Sequence, residues 1–150
     1  MDKSSFQKII DRAMAEERAA YVLYSKCSER SKNATSKEFF SELAKQEEGH
    51  EKRLKHISLK DVGDFDEAKL DKIVASDFFV EVKIKEDMSP QDVLIYAIKS
   101  EGKAIAAYTG LAAATDDPEA KKMFNLLAEE EIKHKVKLED AYEERFYQFF

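Results

Sequence analysis

The sequence has one cysteine, Cys27, which excludes a disulfide framework and any four-cysteine zinc or iron–sulfur knuckle. Two prolines and four glycines in 150 residues are too few breakers for the many turns of a sandwich or barrel. No apolar run reaches membrane-spanning length, and the opening MDKSSFQKIIDRAMAEE holds no apolar stretch long enough for a signal peptide. A basic face is also missing. With 25 Lys and Arg against 31 Asp and Glu, the net charge is −6, and nothing is available to neutralise a row of phosphates. These absences predict a soluble cytoplasmic protein, one domain over residues 1–150, that engages neither nucleic acid nor membrane. What is abundant is Glu, Lys and Ala, with 37% charged and 43% hydrophobic residues, the composition of long amphipathic helices.

Apolar residues spaced by three and four mark four such helices. The first spans about Ser5 to Ser31, with Phe6, Ile9, Ile10, Ala13, Met14, Ala20, Tyr21 and Tyr24 on its stripe. Thr35 and Glu38 read as a capping box opening the second, which carries Phe39, Phe40, Leu43, Leu54 and Ile57 and ends near Lys60. Ser89-Pro90 and Asp117-Pro118 are matching start signals, a capping side chain followed by proline, for the third and fourth. Between the second and third lies a connector, Asp61 to Ser89, with a β-like patch from Phe78 to Ile84. A helix of about 27 residues is about 40 Å long, and an extended connector of this length spans that distance. The connector therefore returns the chain to the far end, so that helices 2 and 3 run parallel. One long crossover makes the ferritin-like variant of an antiparallel four-helix bundle.

An internal repeat carries the chemistry. At an offset of 84 positions Glu17 falls on Glu101, Ala20 on Ala104, Tyr24 on Tyr108, Phe40 on Phe124, Leu43 on Leu127, Ala44 on Ala128, Glu47 on Glu131 and His50 on His134. Two equivalent helical hairpins follow. Residues three and four apart share a helix face, so Glu17, Glu47, His50, Glu101, Glu131 and His134 all fall on apolar stripes. An unpaired charge in that interior costs several kcal/mol. Four glutamates bring −4 and two divalent ions bring +4, so two metal ions neutralise the set. Ligation rich in oxygen, with one imidazole per ion, suits iron or manganese, with zinc as a substitute. One glutamate from each of two helices and Glu-x-x-His from each of the other two is the ligand set of di-iron and di-manganese carboxylate bundles.

The segments Glu17-x-x-Ala20-x-x-Leu23-Tyr24, Leu43-Ala44-x-x-Glu47-x-x-His50, Glu101-x-x-Ala104-x-x-x-Tyr108 and Leu127-Ala128-x-x-Glu131-x-x-His134 resemble the rubrerythrin-like branch of the ferritin-like superfamily over nearly the whole chain. The resemblance implies a non-haem di-iron centre that meets hydrogen peroxide or dioxygen. It makes Glu47 and Glu131 bridging, Glu17 and Glu101 terminal, and puts His50 and His134 on one iron each. Two features depart from the pattern. Rubrerythrins proper append a four-cysteine rubredoxin module, so here the electron donor is external, a rubredoxin-like protein being one candidate. They also carry a further glutamate one turn past the third-helix ligand, where this chain has Ala104. The expected function is peroxide or dioxygen reduction at two irons, in a homodimer; the alternative is ferroxidation with iron binding or storage.

Tyr24 and Tyr108 share the stripe with the ligands and are the candidate catalytic residues, as hydrogen-bond or radical-quenching partners of the site, with core packing as the alternative. His56 is expected on the solvated surface and Cys27 in the core. The aromatic C-terminus, Tyr142 to Phe150, suits packing against a partner subunit or against its own bundle.

Overall fold

The structure, a computed structural model, describes residues 4–59, 64–76 and 88–144. Four long helices carry the fold: α1 (Ser5–Arg30), α2 (Ala34–Leu59), α4 (Pro90–Ala113) and α5 (Pro118–Glu143). A short α3 (Glu67–Ala75) lies within the connector. The start signals at Ser89-Pro90 and Asp117-Pro118 work as expected, since Ser89 accepts from Asp92 N and Asp117 from Ala120 N. The opening of α2 differs. Its cap is Asn33, whose Oδ1 accepts from Ser36 N at 2.9 Å, two residues before the expected box. Asparagine caps at least as well as threonine, and from position 33 it lets the helix start at Ala34, two residues earlier than a cap at Thr35 would.

Two apolar clusters fix the directions of the helices. One joins Ile9 and Ile10 near the start of α1, Leu54 and Ile57 near the end of α2, Leu111 near the end of α4, and Ala120 and Phe124 near the start of α5. The other joins Leu23 and Cys27 of α1, Phe40 and Leu43 of α2, Val93 and Leu94 of α4, and Leu138 of α5. Hence α1 is antiparallel to α2, α4 is antiparallel to α5, and α2 runs parallel to α4. The molecule is a ferritin-like antiparallel four-helix bundle with one long crossover. No helix among the described residues is long and apolar enough to cross a membrane.

The crossover is more than an extended strap, because α3 forms inside it. Asp66 caps this helix by accepting from Lys69 N, and it buries Leu70 and Ile73 against the first cluster. Gly110 of α4 makes room for that contact, since a Cβ there would stand 3.0 Å from Ile73 Cδ1. The segment also closes the end of α4. Asp66 N donates to Ala114 O at 2.7 Å, and Lys69 Nζ donates to Ala113 O at 3.1 Å. These bonds satisfy carbonyls that the helix end leaves open. Phe65 sits beside Phe6 and Phe124, with ring centroids 4.6 and 6.4 Å away. The β-like patch from Phe78 to Ile84 and the C-terminal residues 145–150 lie outside the described residues.

Asn33→Ala is expected to cost about 1 kcal/mol, the usual loss for a helix N-cap. Glu38→Ala, at an exposed position, is expected to stay within about 0.5 kcal/mol. Urea unfolding of both variants tests the assignment; a larger loss for Glu38→Ala would restore the capping box.

Candidate metal centre

The six residues of the repeat meet midway between the two apolar clusters. Glu17 comes from α1, Glu47 and His50 from α2, Glu101 from α4, and Glu131 and His134 from α5; none is more than 3% exposed. They form two overlapping groups. Glu17, Glu47, His50 and Glu131 make one, and Glu47, Glu101, Glu131 and His134 make the other. Within each group, one ligand atom per residue lies within 4.8 Å of the rest. Glu47 and Glu131 belong to both groups.

The nitrogens that face this cluster are the Nδ1 atoms. His50 Nδ1 is 2.5 Å from Glu131 Oε1 and 3.5 Å from Glu17 Oε2, and His134 Nδ1 is 2.7 Å from Glu47 Oε1. The two imidazole rings stack nearly parallel, with centroids 5.7 Å apart. These contacts lack hydrogen-bond alignment. Glu17 Oε2, Glu47 Oε1, Glu101 Oε2, both oxygens of Glu131 and both Nδ1 atoms are buried with no hydrogen-bond partner. Seven atoms without a hydrogen bond in one spot, several of them held only in close Glu–His contacts, are costly in a protein interior. All are carboxylate oxygens or imidazole nitrogens, the donors of a divalent metal such as iron, manganese or zinc. The residues therefore fit two metal ions.

Tyr24 and Tyr108 hold the outer glutamates, each reaching across to the other hairpin. Tyr24 Oη donates to Glu101 Oε1 at 2.7 Å, and Tyr108 Oη donates to Glu17 Oε1 at 2.5 Å. One oxygen of each glutamate is tied in this way, and Oε2 is the one left free. Burial, with the glutamate charges added, raises both phenols well above 10, so they remain donors at neutral pH. His56 is exposed and Cys27 is buried, as their positions predicted. Burial pushes the Cys27 thiol up to about 12, which leaves it unreactive.

A further layer was not evident from the apolar stripes. His50 Nε2 lies 2.7 Å from Glu130 Oε2, and Arg53 grips the same carboxylate through two nitrogens, at 2.7 and 3.2 Å. His134 Nε2 pairs with Gln46 Oε1. Glu130 reads as one of several surface glutamates by helix face alone. The signal that finds it is the repeat, since the offset of 84 places Gln46 on Glu130, each just before its Glu-x-x-His.

Protons offset the charge of this cluster when no cation does. Burial raises Glu47 well above the usual carboxylate range and, with the Glu17 charge, raises Glu131 to about 7. Burial also pushes Glu17 upward, but His50, Glu47 and Tyr108 outweigh it and its pKa is lowered. Burial opposes the charged form of His50 too, yet Glu131 and Glu17 lift it to about 10. His134 falls to about 4 through burial and the positive charge of His50.

These shifts fix a sign. Glu131 and His50 hold protons in the folded state that the unfolded chain releases near 4.5 and 6.5. Their stabilisation is complete below those values and is lost as pH rises through about 7 and about 10. His134, lowered to about 4, acts only below about pH 6.5 and adds no slope above it. The chelator-treated protein should therefore melt at progressively lower temperature from pH 7 to 9. Two equivalents of Zn(II) should remove or reverse this slope, because metal ligands must be deprotonated. A chelator-treated melting temperature that rises over this range would contradict the assignment.

The fold and the cluster agree with comparisons to known proteins. A hypothetical protein from Pyrococcus furiosus has a solved structure that superposes with a TM-score of 0.70 at 22% identity, covering 92% of this chain and 88% of that one. This likeness carries the fold alone. No curated protein is detectably similar in sequence. The family model described as Rubrerythrin matches residues 2–86 and 92–149. The chain belongs to the rubrerythrin family.

Proposed function

We propose that the chain binds two iron ions through Glu17, Glu47, His50, Glu101, Glu131 and His134, and there reduces hydrogen peroxide or dioxygen with electrons from an external donor. The observation that carries this reading is the set of seven donor atoms, none with a hydrogen bond, buried between two apolar clusters. Family membership adds support for a di-iron carboxylate protein.

The roles follow from position. Glu47 and Glu131, common to both groups, would serve both ions; Glu17 and Glu101 would serve one each, with His50 and His134. Tyr108 and Tyr24 fix the two outer carboxylates, so that each offers its remaining oxygen. Phenols this reluctant to ionise keep their protons on Oη and maintain those bonds throughout turnover. Two ferrous ions, when bound, supply one electron each, so that two electrons and two protons take one hydrogen peroxide to two waters. The apolar clusters above and below keep bulk water away from the carboxylates. A surface depression of about 370 Å³, bordered by Lys45, Lys133 and Lys137, reaches His50 and His134 and offers a small oxidant a way in. The electrons come from a donor outside this domain, whose one cysteine is a buried, protonated thiol. We place this activity in the cytoplasm, in a homodimer.

The test is anaerobic loading with Fe(II) followed by rapid mixing with peroxide or with dioxygen. The expectation is uptake of two Fe(II) per chain and faster oxidation by peroxide. Equal or faster oxidation by dioxygen, with mineral accumulating on further iron, would mean ferroxidation and storage instead. Glu131→Ala should lose most of the bound iron; full retention would sink the assignment of these residues as ligands.

A further inference from the structure

The two metal positions share the same inner residues by repeat, but not the same outer ones. At His50 the atom behind the ring is a carboxylate oxygen, Glu130 Oε2 at 2.7 Å. Arg53 fixes that carboxylate by a two-pronged contact at 2.7 and 3.2 Å. At His134 the corresponding atom is the amide oxygen of Gln46. At the offset of 84 the counterpart of Arg53 is Lys137, a point charge in place of a planar fork.

This difference acts on the tautomer. A metal needs a bare lone pair on Nδ1, so the ring proton must sit on Nε2. The Glu130 carboxylate is acceptor-only, so of the two neutral tautomers of His50 it admits only the one with Nε2–H, the form whose Nδ1 is bare once a metal has displaced the second proton. The Gln46 amide can accept from Nε2–H, but rotated by half a turn it donates instead. In that orientation the His134 proton moves to Nδ1, where it blocks the metal. A carboxylate behind the ring also makes the imidazole a stronger ligand than an amide does.

We propose that the two positions are unequal: the one formed by Glu17, Glu47, His50 and Glu131 fills first and more tightly, and Glu130 is the positioning residue that makes it so. This rests on the reading of the cluster as a two-metal site. Loss of an outer partner of a ligating histidine typically costs roughly 10- to 100-fold in metal affinity, and the gap between the two positions should be of that order.

The experiment is calorimetric titration of the chelator-treated protein with Co(II), together with anomalous diffraction from crystals grown at one equivalent of Co(II). The wild-type protein should bind in two steps at least about tenfold apart, with the first cobalt beside His50. Glu130→Gln makes the outer layers alike. It is expected to weaken the first step by roughly 10- to 100-fold and to spread a single equivalent over both positions. Gln46→Glu makes them alike in the opposite sense and should tighten the second step. This variant keeps the test decisive if Glu130→Gln folds poorly. Two indistinguishable wild-type steps, a first cobalt beside His134, or a Glu130→Gln variant with unchanged steps would each overturn the inequality while leaving two-metal binding intact. Failure to bind any cobalt would overturn both.

Discussion

Four carboxylates and two imidazoles in the middle of a helical bundle are the constraint on which the rest of the structure depends. Their charge cannot be dispersed into water, because each residue is almost fully enclosed. Oil-like packing does not compensate it either, since burial by itself pushes Glu17, Glu47 and Glu131 toward their protonated forms. The bundle responds by separating tasks along its length. An apolar cluster at each end supplies the cohesion that a charged centre cannot, and the long helices are what allow both clusters and a centre to fit in one chain. Cohesion at the two ends then holds the donor atoms in the middle against their mutual repulsion.

The second constraint is that neither hairpin completes the centre. The helices pack mainly within the pairs α1–α2 and α4–α5. The polar bonds of the site run the other way. Tyr24 holds Glu101, Tyr108 holds Glu17, Glu130 backs His50 and Gln46 backs His134, and each of these crosses from one hairpin to the other. Apolar packing thus builds each half, and the buried polar bonds set the register between halves. Both groups of donors also draw on both hairpins, the first through Glu131 and the second through Glu47.

Much of this was legible in the sequence because it was written twice. A lone Glu-x-x-His in a glutamate-rich chain reads as surface, whereas the same pattern at a constant offset, each copy preceded by a stripe glutamate, specifies two halves of one site. The helix starts at Ser89 and Asp117 were legible for a local reason, since cap and proline stand side by side. What escaped was non-local. The nine residues of α3 have too few turns for a periodic signal; Leu70 and Ile73 are held helical by what they meet, including the gap at Gly110. Asn33 was passed over because Thr35 and Glu38 satisfy a spacing rule, although the choice between two caps depends on the path of the incoming turn. Glu130 and Gln46 were missed for a related reason. Helix periodicity reports which face is buried in a residue's own hairpin and says nothing about a partner across the bundle.

Repetition also explains where the two halves differ. Positions whose side chains enter the centre are identical at the offset, because each must supply the same donor to the same cluster. One layer out, a side chain acts on an ion only through a histidine, and the demand relaxes to that of any group that can accept from Nε2–H. Gln46 and Glu130 both meet it, yet only a carboxylate refuses the wrong tautomer. The outer layer is therefore the place where a symmetric scaffold can distinguish its two metal positions without altering a single ligand. In this chain the distinction follows from one amide standing where its counterpart is an acid, with Arg53 locking the acid in place.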